Sequence, residues 1–304
     1  MPPALDPIET LCALDLGGRG IGRLVVPGAM AAAARSLARA RRVVLVTGFV
    51  ARPTWAAETD GPSGTVVLGR ALRRLGARVA YLADPPVAPL LEACLRALGE
   101  PRDLIAVPAE PATALQMAEA RVRAFGPTHL VAIERPGRAV DGGYYNARGM
   151  SVATANAPLD ALFLRRRSGL TTIGVGDGGN EIGMGRVRTR VVRDVPNGKK
   201  IASVVRTDHL IVGGTSNWGA WGVVAHLALA TGRGVLHTPK EEARLTRAMV
   251  RAGAVDGLTG VAQASVDNLP LGLHQALLET LRGLIGHMKV HRRPVAVARE
   301  EETA

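Results

Sequence analysis

One phrase recurs along this chain: a short run rich in β-branched residues, a polar glycine-rich turn, then an Ala/Leu/Arg stretch with helical spacing. Repetition of that phrase is the signature of βαβ units and a parallel sheet. The β-runs are Val43–Thr47, Arg78–Leu82, Leu104–Val107, His129–Ile133, Thr171–Val175 and His209–Val212. The helical stretches are Ala29–Ala40, Thr65–Leu75, Ala88–Leu98, Ala112–Phe125, Leu159–Arg166, Trp221–Leu229, Glu241–Ala252 and Leu271–Met288. Val43-Val44-Leu45-Val46 is apolar at every position, as expected for a strand covered by helices on both sides. The expectation is therefore an α/β fold: a doubly wound, mostly parallel sheet with helices on both faces.

No Ser/Gly-rich or acidic linker divides the 304 residues, so a single domain over 1–304 is expected. Within it, 186–207 reads as a small β-hairpin insertion, because Val-Arg-Thr-Arg-Val-Val-Arg alternates before the turn Pro196-Asn197-Gly198-Lys199.

Composition removes several function classes. No run approaches the about 18 apolar residues that a spanning helix needs, so no membrane partner is expected. Two cysteines, Cys12 and Cys94, and no basic-then-apolar leader point to a reducing, cytoplasmic setting. The net charge of +12 comes almost wholly from arginines scattered over helical faces, since only four lysines occur. With 3% aromatic residues there are few stacking platforms, and no nucleic-acid partner is expected. Self-association into a homo-oligomer stays open.

In an open parallel sheet, ligands bind beyond the carboxyl ends of the strands, which makes the turns after each β-run informative. Thr47-Gly48 is followed by Glu58-Thr59-Asp60-Gly61-Pro62-Ser63-Gly64, which opens a helix near Thr65. The N–H groups and hydroxyls of Ser63 and Thr65 would suit a carboxylate or phosphate, and Glu58 with Asp60 a cation; Ser63 serves equally well as a helix cap. Asp141–Gly149, holding Tyr144, Tyr145, Asn146 and Arg148, reads as a substrate lid or wall, with a solvated connection as the alternative. The densest signal is Gly174–Gly185, with six glycines around Asp177, Asn180 and Glu181. Glycines there let backbone approach a ligand closely. Gly213-Gly214-Thr215-Ser216-Asn217 opens another helix with free donors.

Gly174, Gly176 and Gly179 formally satisfy the dinucleotide fingerprint, with Asp194 about twenty residues on, and so raise an NAD(P)-dependent oxidoreductase as an alternative. The fingerprint requires a helix after its third glycine, which Gly183 and Gly185 disfavour, so no nucleotide cofactor is expected. P-loop, Gly-x-Ser-x-Gly, Cys-x-x-Cys and His-Glu-x-x-His motifs are absent from the sequence. Carboxylates, amides, glycine backbone and arginine remain. They suit a small anionic substrate and a hard divalent ion such as Mg or Mn. A metal-dependent hydrolase or lyase on another small acid is a further alternative.

Gly18-Arg19-Gly20-Ile21, Val46-Thr47-Gly48-Phe49, Glu58-Thr59-Asp60-Gly61-Pro62, Glu134-Arg135-Pro136-Gly137 and above all Gly176-Asp177-Gly178-Gly179-Asn180-Glu181-Ile182-Gly183-Met184-Gly185 resemble the D-glutamate cyclase family, in its cyclase-like C-terminal domain. The resemblance implies a hydro-lyase that dehydrates D-glutamate to 5-oxo-D-proline and water. Such a reaction needs a neutral α-amine, an activated γ-carboxylate and a proton for the departing oxygen. The expected machinery is Asp177 or Glu181 as base with Asn180 beside them, and Glu58, Asp60 and Asp177 as metal ligands. Thr47, Gly48, Ser63, Gly64, Thr65, Gly178, Gly179, Gly214, Thr215, Ser216 and Asn217 are the expected substrate donors, while Asn146 and Arg148 orient the α-carboxylate.

Overall fold

All six β-runs form strands: β1 (Arg42–Thr47), β2 (Arg78–Ala83), β3 (Leu104–Ala106), β4 (His129–Ile133), β5 (Thr171–Gly176) and β6 (His209–Val212). They make one parallel sheet in the order β3-β2-β1-β4-β5-β6, in a computed structural model that describes residues 6–108, 110–165 and 168–291. Val44 is in register with Ala80 on one side and Leu130 on the other. The order reverses between β1 and β4, and that reversal opens a crevice at their carboxyl ends.

The helices are α1 (Pro7–Cys12), α2 (Ala29–Leu37), α3 (Pro62–Arg74), α4 (Ala88–Leu98), α5 (Pro111–Phe125), α6 (Ala161–Leu164), α7 (Arg188–Asp194), α8 (Gly198–Ile201), α9 (Ser216–Thr231), α10 (Pro239–Arg251) and α11 (Leu271–His291). Arg166, the expected end of the sixth helix, lies outside the described residues. Alternate strand residues serve opposite faces. Val43, Leu45, Val131, Ile133 and Val175 share a core with α2, α3, α4 and α9. Val44, Val46, Leu130 and Ala132 pack with Ala114, Ala118 and Val122 of α5 and with Leu162 and Phe163 of α6. Because α10 lies on α4 and α11, and α11 on α9, the first face carries a second helical layer. Every residue of α9 from Ser216 to Leu229 is buried in consequence, and the helix has no polar side. Among the described residues, no helix is long and apolar enough to cross a membrane.

The hairpin expected over 186–207 is not there. That stretch holds α7 and α8, and the reason is legible: Val187, Val191 and Val195 stand four apart, so they also line one face of a helix. That face packs on Leu24, Met184 and Leu210, which decides between the two periodicities. A hairpin occurs instead at β7 (Ser265–Val266) and β8 (Leu269–Pro270). Its turn residues Asp267 and Asn268 both have positive φ, 53° and 62°, as a type I′ turn requires.

Candidate active site

The crevice is built first from backbone. Glu134, immediately after β4, takes the left-handed conformation (φ 45°), and its carbonyl accepts from Gly48 N–H just past β1 at 3.0 Å. Gly61 (φ 98°) lies so close that a Cβ there would sit 2.7 Å from the Glu134 Cβ and 2.8 Å from Thr47 Oγ1, so only glycine fits. The turns after β1 and β4 are thereby pressed together, and the Glu134 N–H on the Val175 carbonyl (3.1 Å) and the Gly213 N–H on the Gly176 carbonyl (3.1 Å) bring the ends of β5 and β6 to the same mouth.

Carboxylates dominate that mouth. Oxygens of Asp60, Glu134 and Asp177, all buried, lie within 4.8 Å of one another. Asp60 accepts from the N–H groups of Ser216 (2.7 Å) and Asn217 (2.9 Å) at the start of α9, and Glu134 accepts from Ser216 Oγ (2.6 Å). Arg19 Nη2 spans Asp177 (3.1 Å), Asp267 (3.0 Å) and the Gly214 carbonyl (2.8 Å). Burial and mutual repulsion push the Glu58, Asp60 and Glu134 carboxyls well above their ordinary range. Burial also raises Asp177, although Arg19 opposes it, and burial with the nearby Asp177 pushes Asp267 up to about 8. Burial works against the charge of Arg19, but Asp177 and Asp267 outweigh it and hold it firmly cationic. The cluster thus has an affinity for protons or cations that its own residues do not satisfy.

Above the cluster lies a cavity of about 60 Å³, bordered by Arg19, Arg52, Glu58, Glu134, Asn146, Arg148, Asp177, Gly178, Asn180, Glu181 and Asp267. Glu58 faces it through a gap kept open by Gly257, where a Cβ would lie 1.9 Å from Glu58 Oε2. Arg148 reaches across the rim to the Leu258 carbonyl at 2.8 Å. Asn146 Oδ1 braces its own loop by accepting from Arg148 and Met150 N–H, while Asn180 Nδ2 ties the loop to the Tyr145 carbonyl at 2.7 Å. A larger depression, about 340 Å³ between Phe163, Leu170, Arg186 and Arg206, opens beside the amino ends of β5 and β6, away from the acid cluster.

Seven of the expected site residues (Glu58, Asn146, Arg148, Asp177, Gly178, Asn180 and Glu181) border the cavity. The expected donors behind them are engaged otherwise. The Gly61 and Gly64 N–H groups go to Asn217 Oδ1 at 3.1 and 2.8 Å, and the Thr65 hydroxyl to the Gly61 carbonyl. Ser63 Oγ points toward Glu242 Oε1, 3.5 Å away, and Thr215 Oγ1 caps Trp218 N–H. Asp60 caps α9 while Asn217 caps α3, so the two helix starts expected to grip carboxylates grip each other. Among the described residues Thr47 Oγ1 is buried without a partner, and the Gly214 N–H bonds to the Cys12 carbonyl. Glu181, expected as a base, accepts the N–H groups of Asp177 (3.2 Å), Gly178 (2.6 Å) and Gly179 (2.8 Å). It holds the loop's shape. Of the expected metal ligands, Asp60 and Asp177 come together with Glu134, while Glu58 lies on the cavity wall.

The same loop removes the footing for a dinucleotide. No helix follows Gly179, and α7 starts only at Arg188. A Cβ on Gly176 or Gly178 would come within about 3.0 Å of Glu181, so these glycines make room for that carboxylate. Sequence reasoning missed Arg19, Glu134 and Asp267 as site residues. Arg19 is delivered by an irregular N-terminal loop that Asp15 pins through the N–H groups of Arg19, Gly20 and Ile21. The signal for Asp267 was Asp-Asn between Val266 and Leu269, a two-residue hairpin turn.

The chain matches the family model described as D-glutamate cyclase-like, C-terminal, over residues 8–282. It is 32% identical to a human (Homo sapiens) protein named D-glutamate cyclase, mitochondrial, over an alignment covering 91% of this chain and 51% of that protein. The chain therefore spans about half the length of that curated relative.

Proposed function

This chain belongs to the D-glutamate cyclase-like family, and on that premise we propose that it dehydrates D-glutamate to 5-oxo-D-proline and water. The observation that carries the reading is the acid cluster of Asp60, Glu134 and Asp177, beneath a cavity bordered by Arg19, Arg52 and Arg148. An amino acid with two carboxylates has the matching polarity: its ammonium suits the acidic floor and its carboxylates the arginines.

Cyclisation forms the bond between the α-nitrogen and the carbon of the γ-carboxylate (Cδ) and breaks one of that carbon's two bonds to oxygen. The ammonium loses two protons and the departing oxygen takes up two, so the site needs only to relay protons and make the carboxylate electrophilic. Asp177, paired through Oδ2 with Arg19, takes up an ammonium proton. Asp267, protonated up to about pH 8 and facing the cavity, supplies a proton to the leaving oxygen. Asn180 and Arg148 on the opposite wall hold the substrate folded.

Three buried carboxylates are the donor class that hard dications take, so Asp60, Glu134 and Asp177 would hold Mg or Mn. Such an ion, when bound, polarises the γ-carboxylate as a Lewis acid. Both cysteines are free and buried, which supports a reducing compartment such as the cytoplasm.

The test is incubation with D- and L-glutamate and with both 5-oxoproline enantiomers, with and without Mg or Mn, read by chiral chromatography. Loss of D-glutamate with matching gain of 5-oxo-D-proline is expected. No conversion of either enantiomer in either direction, under any metal condition, overturns the reading.

A further inference from the structure

Two supports of the acid cluster come from elements distant in sequence. The start of α9 supplies the N–H groups on Asp60 and the hydroxyl on Glu134, and the β7–β8 turn supplies Asp267. A single imidazole joins them. His274, 1% exposed near the start of α11, lies with Nδ1 2.8 Å from the Trp218 indole Nε1 and with Nε2 3.2 Å from the Leu269 carbonyl oxygen. Trp218 directly follows Ser216 and Asn217, and Leu269 follows Asp267 and Asn268.

The direction of both bonds is fixed by chemistry. An indole N–H only donates and a carbonyl only accepts, so the ring makes both contacts at once only when Nδ1 is bare and Nε2 carries the proton. The imidazolium would turn Nδ1–H against Trp218 Nε1–H and lose one of the two. Edge-to-face contact with Trp218, at 5.3 Å between ring centroids, adds packing but no direction.

We propose that His274 is a positioning residue of the active site: a neutral Nε2–H imidazole whose two directed hydrogen bonds set the spacing between the start of α9, which holds Asp60 and Glu134, and the turn that carries Asp267. Its catalytic consequence rests on the cyclase reading above; the geometric link does not. Arg19 bridges Asp177 and Asp267, so a shift of the turn is passed on to Asp177.

Three variants and one spectroscopic measurement test this. His274→Phe keeps an aromatic of similar size and removes both bonds, whereas His274→Gln packs less well but has an amide that can accept from Trp218 and donate to Leu269. If directed bonding matters, amide hydrogen exchange at Ser216, Asn217 and Asn268 accelerates about tenfold in the Phe variant and stays near wild type in the Gln variant, with β1 amides unchanged in both. Turnover of D-glutamate should follow the same order, falling in kcat more than rising in KM. Trp218→Phe should reproduce the exchange change at Ser216 and Asn217 alone. Nitrogen-15 NMR of the wild-type ring should show bare Nδ1 and protonated Nε2. An imidazolium, the opposite tautomer, or exchange in the Phe variant no faster than in the Gln variant overturns the proposal. Should His274→Phe fail to fold, the tautomer of the wild type and the Trp218 variant still decide. Exchange in the predicted order without any D-glutamate conversion would leave the positioning role standing and overturn the cyclase reading alone.

Discussion

Two buried sets of charges lie just beyond the carboxyl ends of the strands, and they are organised in opposite ways. Arg135, fully buried after β4, pairs with Asp84 and donates to the Gly48 and Ala157 carbonyls, while Asp84 also accepts the Ala157 N–H. There charge is balanced one to one and both groups are hydrogen-bonded into backbone. A few residues away, Glu58, Asp60, Glu134, Asp177 and Asp267 crowd together; Arg19 pairs directly with Asp177 and Asp267, and the Glu58, Asp60 and Glu134 carboxyls are driven toward the neutral form. A balanced buried pair stabilises only while both members remain, whereas a surplus of buried carboxylates costs stability unless protons, a metal ion or a ligand arrive. The first set reads as scaffold and the second as a binding centre.

Substitutions can break that contrast. Asp177→Asn should lower D-glutamate turnover by about 10²–10⁴-fold, the usual contribution of a positioned acid or base, while the melting temperature holds or rises because one repelling carboxylate is gone. Initial rates and calorimetry on the same preparation check both halves. Arg135→Met should do the reverse. Stranding Asp84 should cost about 3–5 kcal/mol in urea unfolding, with whatever activity survives reporting a site of native affinity.

Smaller effects sharpen it. Mn or Mg at about a hundred times its dissociation constant should stabilise the wild type by about 2.7 kcal/mol, and Glu134→Gln should lose most of that shift in a thermal titration. The smallest effect is on pH. Asp267 is protonated to about pH 8 in the folded chain but only to about pH 4 when unfolded, so the folded state binds more protons between those limits and stability falls as pH rises through them. The metal-free protein should melt a few degrees higher at pH 6 than at pH 8, and saturating metal should flatten that slope; a metal-free melting point that climbs from pH 6 to pH 8 would contradict the assignment.

The sheet was legible because its signal is local. A buried parallel strand such as Val43–Val46 declares itself by being apolar throughout, and the glycine-rich turn beyond β5 lies at the mouth that holds the acid cluster. Jobs within the mouth were less legible. Whether a helix-start N–H meets a ligand or a neighbouring side chain depends on what stands opposite it, and Asn217 stands opposite Gly61 and Gly64 from 156 and 153 residues away. Arg19 was hidden for the same reason, since nothing in its loop's sequence shows that it reaches Asp177. Over 186–207, one arrangement of valines satisfied both a strand and a helix, and only the partners Leu24 and Leu210 chose between them.

The reciprocal capping of α3 and α9 has a practical corollary for anyone transplanting this site. Moving either segment alone into a related scaffold would orphan two backbone donors on the recipient and leave Asp60 or Asn217 facing nothing. Thr59–Thr65 and Thr215–Trp218 therefore form one cassette, to be grafted together, and single replacements at Asp60 and Asn217 should be strongly epistatic.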